Sequence, residues 1–243
     1  MYDYKEGKKR IDEILDNKLE VEEKEIPEEN SFTYENGYYG WVTAIFIDIR
    51  NSSQLFTNSD KSKVSKIIRS FSSETIEILR ESSDLREIGI RGDCVYAIYN
   101  TPYISNIFDI FAKSCDINTL IRMLNKLFLK RNFPNIQIGI GLSTAKELVV
   151  KAGRKGTGIS NSVWIGDAVT KASNLSSLGN KNGINTIVLS YDMYNYIINE
   201  FVKKQKEEVK SWFKYHIDTK FGSYYDCDIV RIYFDAWVEG GML

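Results

Sequence analysis

Asp48 closes the apolar run Ala44-Ile-Phe-Ile, and Asp93 stands in a turn that follows Ile88-Gly-Ile. A carboxylate at the end of an apolar strand is costly if it is buried without a partner. Two of them on adjacent strands suit a hard ion such as Mg²⁺, which takes oxygen ligands and leaves positions open for phosphates. Together with nucleotide oxygens they would serve a two-metal phosphoryl or nucleotidyl reaction. Spacing alone leaves a plainer reading equally open, with Asp93 a turn residue and Asp48 a cap. The polar run Arg50-Asn51-Ser52-Ser53 tilts the balance. Between a strand and a helix it offers backbone N–H groups and hydroxyls to phosphate oxygens, and Arg50 adds a bidentate anion contact. Gly153-Arg-Lys-Gly-Thr-Gly lacks the Gly-Lys-Ser/Thr ending of a P-loop, so by itself it reads as a flexible connection. His216 is the single histidine, which excludes any scheme that needs two.

The elements that must position these residues follow from periodicity. The β-branched and aromatic run 41–49 reads as a central strand buried on both faces. Asn36-Gly37, set between aromatic residues, predicts a hairpin turn. Ser59-Asp60 caps a helix whose Val64, Ile67, Ile68, Phe71, Ile78 and Leu79 form one stripe. Residues 86–90 and 94–99 read as short strands joined by a tight hairpin at 91–93. A long helix over about 107–129 follows, then strands at 136–142 and 148–152 and a Gly-rich loop over 153–161. A helix from Val163 to about Leu178, a strand at 185–189, a helix at 191–202 and a pair of strands from Tyr215 onward complete the chain. This order predicts an α+β fold, a mixed sheet with helices mainly on one face, rather than a doubly wound parallel sheet. Residues 1–30 read as an amphipathic helix over 8–19 and a solvated acidic linker, an arm that packs on the domain over 31–243 or on a second subunit.

Composition narrows the function classes. With 43% hydrophobic residues, 13% aromatic residues and a formal net charge of −1 over 243 residues, the chain has ample material for a core. No excess of positive charge points to nucleic acid. No apolar run approaches the ~20 residues of a membrane span, and the N-terminus has no apolar signal core. Cys94, Cys115 and Cys227 are too few and scattered for a disulfide framework and read as reduced thiols, implying a cytoplasmic protein.

Several strings, in order, carry a family resemblance: Ala44-Ile-Phe-Ile-Asp-Ile-Arg-Asn-Ser-Ser, Ile90-Arg-Gly-Asp-Cys-Val-Tyr, Ile138-Gly-Ile-Gly and Trp164-Ile-Gly-Asp-Ala-Val-Thr-Lys-Ala-Ser-Asn-Leu. They resemble the class III nucleotidyl cyclase catalytic domain, which has a ferredoxin-like sheet. Asn36-Gly-Tyr-Tyr, Arg86-Glu-Ile, Thr101-Pro-Tyr and Lys151-Ala-Gly-Arg-Lys-Gly bring the chain closer to the bacterial pyrimidine cyclases of the Pycsar anti-phage system. The resemblance covers roughly residues 31 to 190. It implies that Asp48, Asp93 and the Ile49 carbonyl hold two Mg²⁺ or Mn²⁺ ions, and that a nucleoside triphosphate becomes a 3′,5′-cyclic nucleotide and pyrophosphate. It further implies a homodimer with active sites at the subunit interface, and a product sensed as an antiviral second messenger by a separate effector.

The departures from the family pattern bear on substrate and rate. Purine cyclases carry a polar base reader at the position of Gly89 and a second at the position of Val163; neither side chain here can hydrogen-bond a purine edge. A site without those partners loses its discrimination for that base, which favours UTP or CTP, with UTP preferred on family background alone. One extra residue between Trp164 and Gly166 makes Ser162 an alternative to Val163. The family's transition-state Asn and Arg map to Thr170 and Asn174. The uncharged Asn174 implies that Arg50, Lys155 or Lys171 supplies the missing charge, with Lys155 favoured, or that turnover is slow. Two rivals stay open: an adenylate or guanylate cyclase with substituted readers, and a catalytically silent nucleotide-binding domain.

Overall fold

The computed structural model describes residues 1–203 and 207–243. In chain order the elements are α1 (Tyr4–Asp16), β1 (Glu20–Glu23), β2 (Asn36–Ile49), α2 (Ser52–Asn58), α3 (Lys61–Arg80), β3 (Leu85–Arg91), β4 (Cys94–Asn100) and α4 (Ile104–Leu129). Then come β5 (Ile138–Arg154), β6 (Ile159–Gly166), α5 (Asp167–Ser176), β7 (Ile187–Ser190), α6 (Tyr191–Lys203), β8 (Lys214–Asp218), β9 (Gly222–Cys227) and α7 (Ile232–Glu239).

The strands form one mixed sheet in the order β3-β4-β2-β5-β7-β9-β8, with β1 beside the start of β2 and β6 beside the outer half of β5. All pairs are antiparallel except β1–β2 and β5–β7. Alternation splits β2 between two cores. Ile45, Ile47 and Ile49 pack with α3, α4 and α6 on one face, and Val42 and Ala44 pack with Ala168 and Ala172 of α5 on the other. The α+β architecture, with most helices on one face, is the one expected. Gly139 and Gly141 let α5 settle on β5: a Cβ at either would run into backbone atoms of 172–176.

Five expectations need correction. No hairpin forms at Asn36-Gly37, because neither residue takes the positive φ that such a turn requires. The Asn36 side chain instead accepts from Thr33 N–H (2.8 Å) and donates to the Ser31 carbonyl (3.0 Å), so the turn precedes β2. Residues 20–23 are not solvated linker; they pair in parallel with Asn36 to Tyr39. The two strands expected at 136–142 and 148–152 are one 17-residue strand, β5. The helix expected from Val163 starts at Asp167, since 159–166 pairs with the end of β5 as β6. Finally, α7 follows β9 and docks on α4 through Arg231–Asp116 (2.7 Å) and Arg122–Asp235 (3.1 Å). Its eight residues are too short a stretch for periodicity to identify.

Candidate active site

Register brings the two aspartates together. Asp48 is the last-but-one residue of β2 and pairs with Cys94, the first residue of β4. Asp93 immediately precedes Cys94, and its carbonyl accepts from the Ile49 N–H at 3.4 Å. Burial raises the Asp48 carboxyl above the usual range, and the Asp93 charge adds to this, while Arg50 and Lys181 pull it down. A buried carboxylate whose ionisation is disfavoured by a second carboxylate at the same strand end fits a divalent cation, whose charge removes the conflict. Burial and the two aspartates push the thiol of Cys94, beside them, up to about 12. Among the described residues no cluster of three His, Cys, Asp or Glu side chains forms a metal site.

Arg50 lies behind the carboxylate rather than in front of it. Its side chain is 3% exposed and is spent on the Asp48 carboxylate, the Asp48 carbonyl (3.2 Å) and the Ser177 carbonyl (2.9 Å). These bonds turn its donors inward, away from the place where the expected anion contact would lie. Asn51 turns the chain with φ 54°. Ser52 and Ser53 then line a cavity of about 430 Å³ with Phe56, Gly92 and Asp93, which places two hydroxyl residues next to the metal candidate.

The base-reading positions divide. Gly89 faces Tyr96, and a Cβ at Gly89 would stand 2.7 Å from the Tyr96 ring. Tyr96 stacks on Phe46 at 5.2 Å and donates to Glu87 (2.7 Å). Trp164 Nε1 donates to the other oxygen of Glu87 at 2.7 Å. Burial and the bond to Glu87 push the Tyr96 phenol up to about 12, so it remains a donor. Val163 does not join this group. It pairs with Val150 on the opposite face of the sheet, and a shift of one residue along a strand exchanges faces. The extra residue before Gly166 therefore gives the inward place to Trp164, which sequence comparison did not consider as a base-site residue.

Thr170 and Asn174 are exposed on α5, one turn apart. Asn174 opens into a cavity of about 360 Å³ with Lys171, Tyr191, Lys220 and Ser223. Lys171 is paired with Asp167 at 2.8 Å. Lys220, in the β8–β9 turn, lies over the Phe221 ring at 4.9 Å and makes no ion pair among the described residues. The sequence reading passed over Lys220; the available signal was a lysine next to a Phe-Gly turn between two strands. The cavities that hold Asp93 and Asn174 share no residue. Lys155 is farther still: it follows the Arg154 end of β5, whereas Asp48 pairs near the Gly139 end. Seventeen residues at ~3.3 Å each give about 55 Å of strand between the two ends of β5. Within one chain the structure does not bring Lys155 to the aspartates.

A profile of the adenylate and guanylate cyclase catalytic domain matches residues 34–221. This chain belongs to that family. It is therefore a nucleotidyl cyclase domain. It is 52% identical over 243 residues to a uridylate cyclase of Treponema porcinum, covering all of this chain and 82% of that protein. A uridylate cyclase of Gulbenkiania mobilis is 31% identical over 251 residues, covering 98% of this chain and 96% of the relative. The adenylyl cyclase CyaB from P. aeruginosa shares the fold with a TM-score of 0.63 at 17% identity, over 80% of this chain and 97% of that one. No helix among the described residues is long and apolar enough to cross a membrane.

Proposed function

We propose that this cyclase converts UTP to 3′,5′-cyclic UMP and pyrophosphate. The observation that carries the reading is the Tyr96 ring packed against Gly89. Where a purine reader would project, an aromatic ring fills the space and leaves no polar side chain at position 89. A single-ring base needs less room than a double-ring one. The two relatives named uridylate cyclase, matched over nearly the whole chain, support UTP over CTP.

In this reading Asp48, Asp93 and the Ile49 carbonyl would hold two Mg²⁺ or Mn²⁺ ions, which when bound would supply acidification of the ribose 3′-OH and neutralisation of the triphosphate. The 3′-oxygen forms a bond to the α-phosphorus, the bond from that phosphorus to the bridging oxygen breaks, and pyrophosphate leaves. Ser52 and Ser53 face the triphosphate. Thr170 donates one hydrogen bond to the reacting phosphate, and Lys220 supplies the positive charge that Asn174 lacks. Because Asp93 and Asn174 open into separate cavities, the working site joins two copies of the domain over 31–243, the aspartates of one facing α5 of the other. Residues 1–30 contribute α1 and add β1 to the sheet beside β2, with Ile26 in the core. The cyclic product acts in the cytoplasm as an antiviral messenger for a separate effector.

The test is incubation of the purified chain with each of the four ribonucleoside triphosphates and Mn²⁺, with products read by mass spectrometry. Cyclic UMP is expected as the main product. Cyclic AMP or cyclic GMP alone would overturn the pyrimidine assignment, and bound nucleotide without any product would favour a silent binding domain.

A further inference from the structure

Glu147 is a fully buried carboxylate in the middle of β5 that the chemistry above leaves unused. It lies on a rung between Gly40 of β2 and Gly166 of β6. One oxygen, Oε1, accepts from the backbone N–H of Ala168 and, at 3.3 Å, from that of Val169, both in the first turn of α5. The other, Oε2, is buried with no hydrogen-bond partner among the described residues. The first N–H groups of a helix have no partner within it, and a negative charge there also meets the positive end of the helix dipole. Usually the residue before the helix supplies the acceptor. Here that residue is Gly166, which has no side chain. A Cβ on it would stand 2.8 Å from the Glu147 carboxylate, so glycine clears the approach.

A serine at 166 would cap the helix without burying a charge. The arrangement found costs more, since desolvation lifts the Glu147 carboxyl above the usual range and the nearby Asp167 charge adds to it, against the two N–H groups. What it gives in return is geometry. A cap from its own loop would fix α5 only to that loop, whereas Glu147 fixes it to the centre of the sheet. The opposite end of α5 is held as well, where Arg50 donates to the Ser177 carbonyl. Thr170 and Asn174 stand between these anchors.

We infer that Glu147 is a positioning residue for cyclisation, setting the height and rotation of α5 on the sheet and through it the residues α5 presents to the nucleotide. It does not touch substrate. The inference rests on the proposed role of Thr170 at the reacting phosphate.

The experiment compares full-length Glu147→Gln, Glu147→Asp and Thr170→Ala with wild type, in steady-state kinetics with UTP and Mn²⁺ and in thermal melts. The amide oxygen of Gln can accept the same N–H groups, so kcat should stay within about 3-fold of wild type. Asp keeps the charge but is one methylene shorter; kcat should fall about 10- to 100-fold, with the KM for UTP within about 2-fold and the melting temperature close to that of Gln. Thr170→Ala should lower kcat by a similar factor. Wild-type kcat in Glu147→Asp, or an equal loss in Gln and Asp, overturns the role of Glu147 while an impaired Thr170→Ala leaves the α5 assignment standing. An unimpaired Thr170→Ala removes the α5 assignment, and the inference with it.

Discussion

Asp48 is held between opposing influences. Burial and the neighbouring Asp93 disfavour its charge, while Arg50 favours it. Removing Asp93 relieves the first side without disturbing the ion pair. Asp93→Asn should therefore raise the melting temperature of the metal-free protein by about 1–3 °C while abolishing turnover. A lower melting temperature with activity retained would contradict the metal assignment. In the proposed reading Tyr96 sets the choice of base: Tyr96→Ala opens the space beside Gly89 and should raise the ratio of purine to UTP turnover at least ~10-fold in competition assays. Lys220→Ala, which in the proposed reading removes a charge from the reacting phosphates, should lower kcat/KM about 10²-fold, with the melting temperature nearly unchanged because the ammonium makes no ion pair among the described residues.

At the level of elements, α5 is held by two buried charged groups, one from β5 and one from the β2–α2 turn. Arg50→Gln leaves the Asp48 carboxylate without its buried cation and frees the Ser177 carbonyl, and it should destabilise the chain by about 3 kcal/mol in denaturant melts. The cost of ionised Glu147 has a definite sign with pH. Its carboxyl is raised in the folded state, so its charge opposes folding at neutral pH, and that penalty disappears as pH falls through the raised value. The stability of wild type relative to Glu147→Gln should therefore improve from pH 8 to pH 5; a constant difference would refute the burial cost. The sequence made the central strand, the three long helices and the position of both aspartates legible, because each depends on local periodicity or on a polar break in an apolar run. It did not reveal which strand covers which. β1 and the start of β2 have no strong pattern of their own and become strands only by pairing, and the face of Val163 depends on the register of β6 against β5. Glu147 was invisible for the same reason: its partners lie 21 and 22 residues along the chain, on a helix start that no local motif connects to it.

On the scale of the whole molecule, the residues assigned to the proposed site fall in two separate places of one chain. Asp48 and Asp93 sit at one strand end, Asn174 and Lys220 line another cavity, and Arg50 links the two regions through the Ser177 carbonyl. A pair of copies related by two-fold symmetry would complete two sites at once, each with aspartates from one copy and α5 from the other. The most direct measurement mixes Asp93→Ala, which should be inactive, and Lys220→Ala, which should keep about a hundredth of wild-type activity, in equal amounts after dissociation and reassociation, and follows cyclic UMP formation. Half of the pairs are then mixed, and each mixed pair keeps one intact site of two, so about a quarter of wild-type activity should return. Activity that stays at the level of the separate variants would contradict a site shared between subunits.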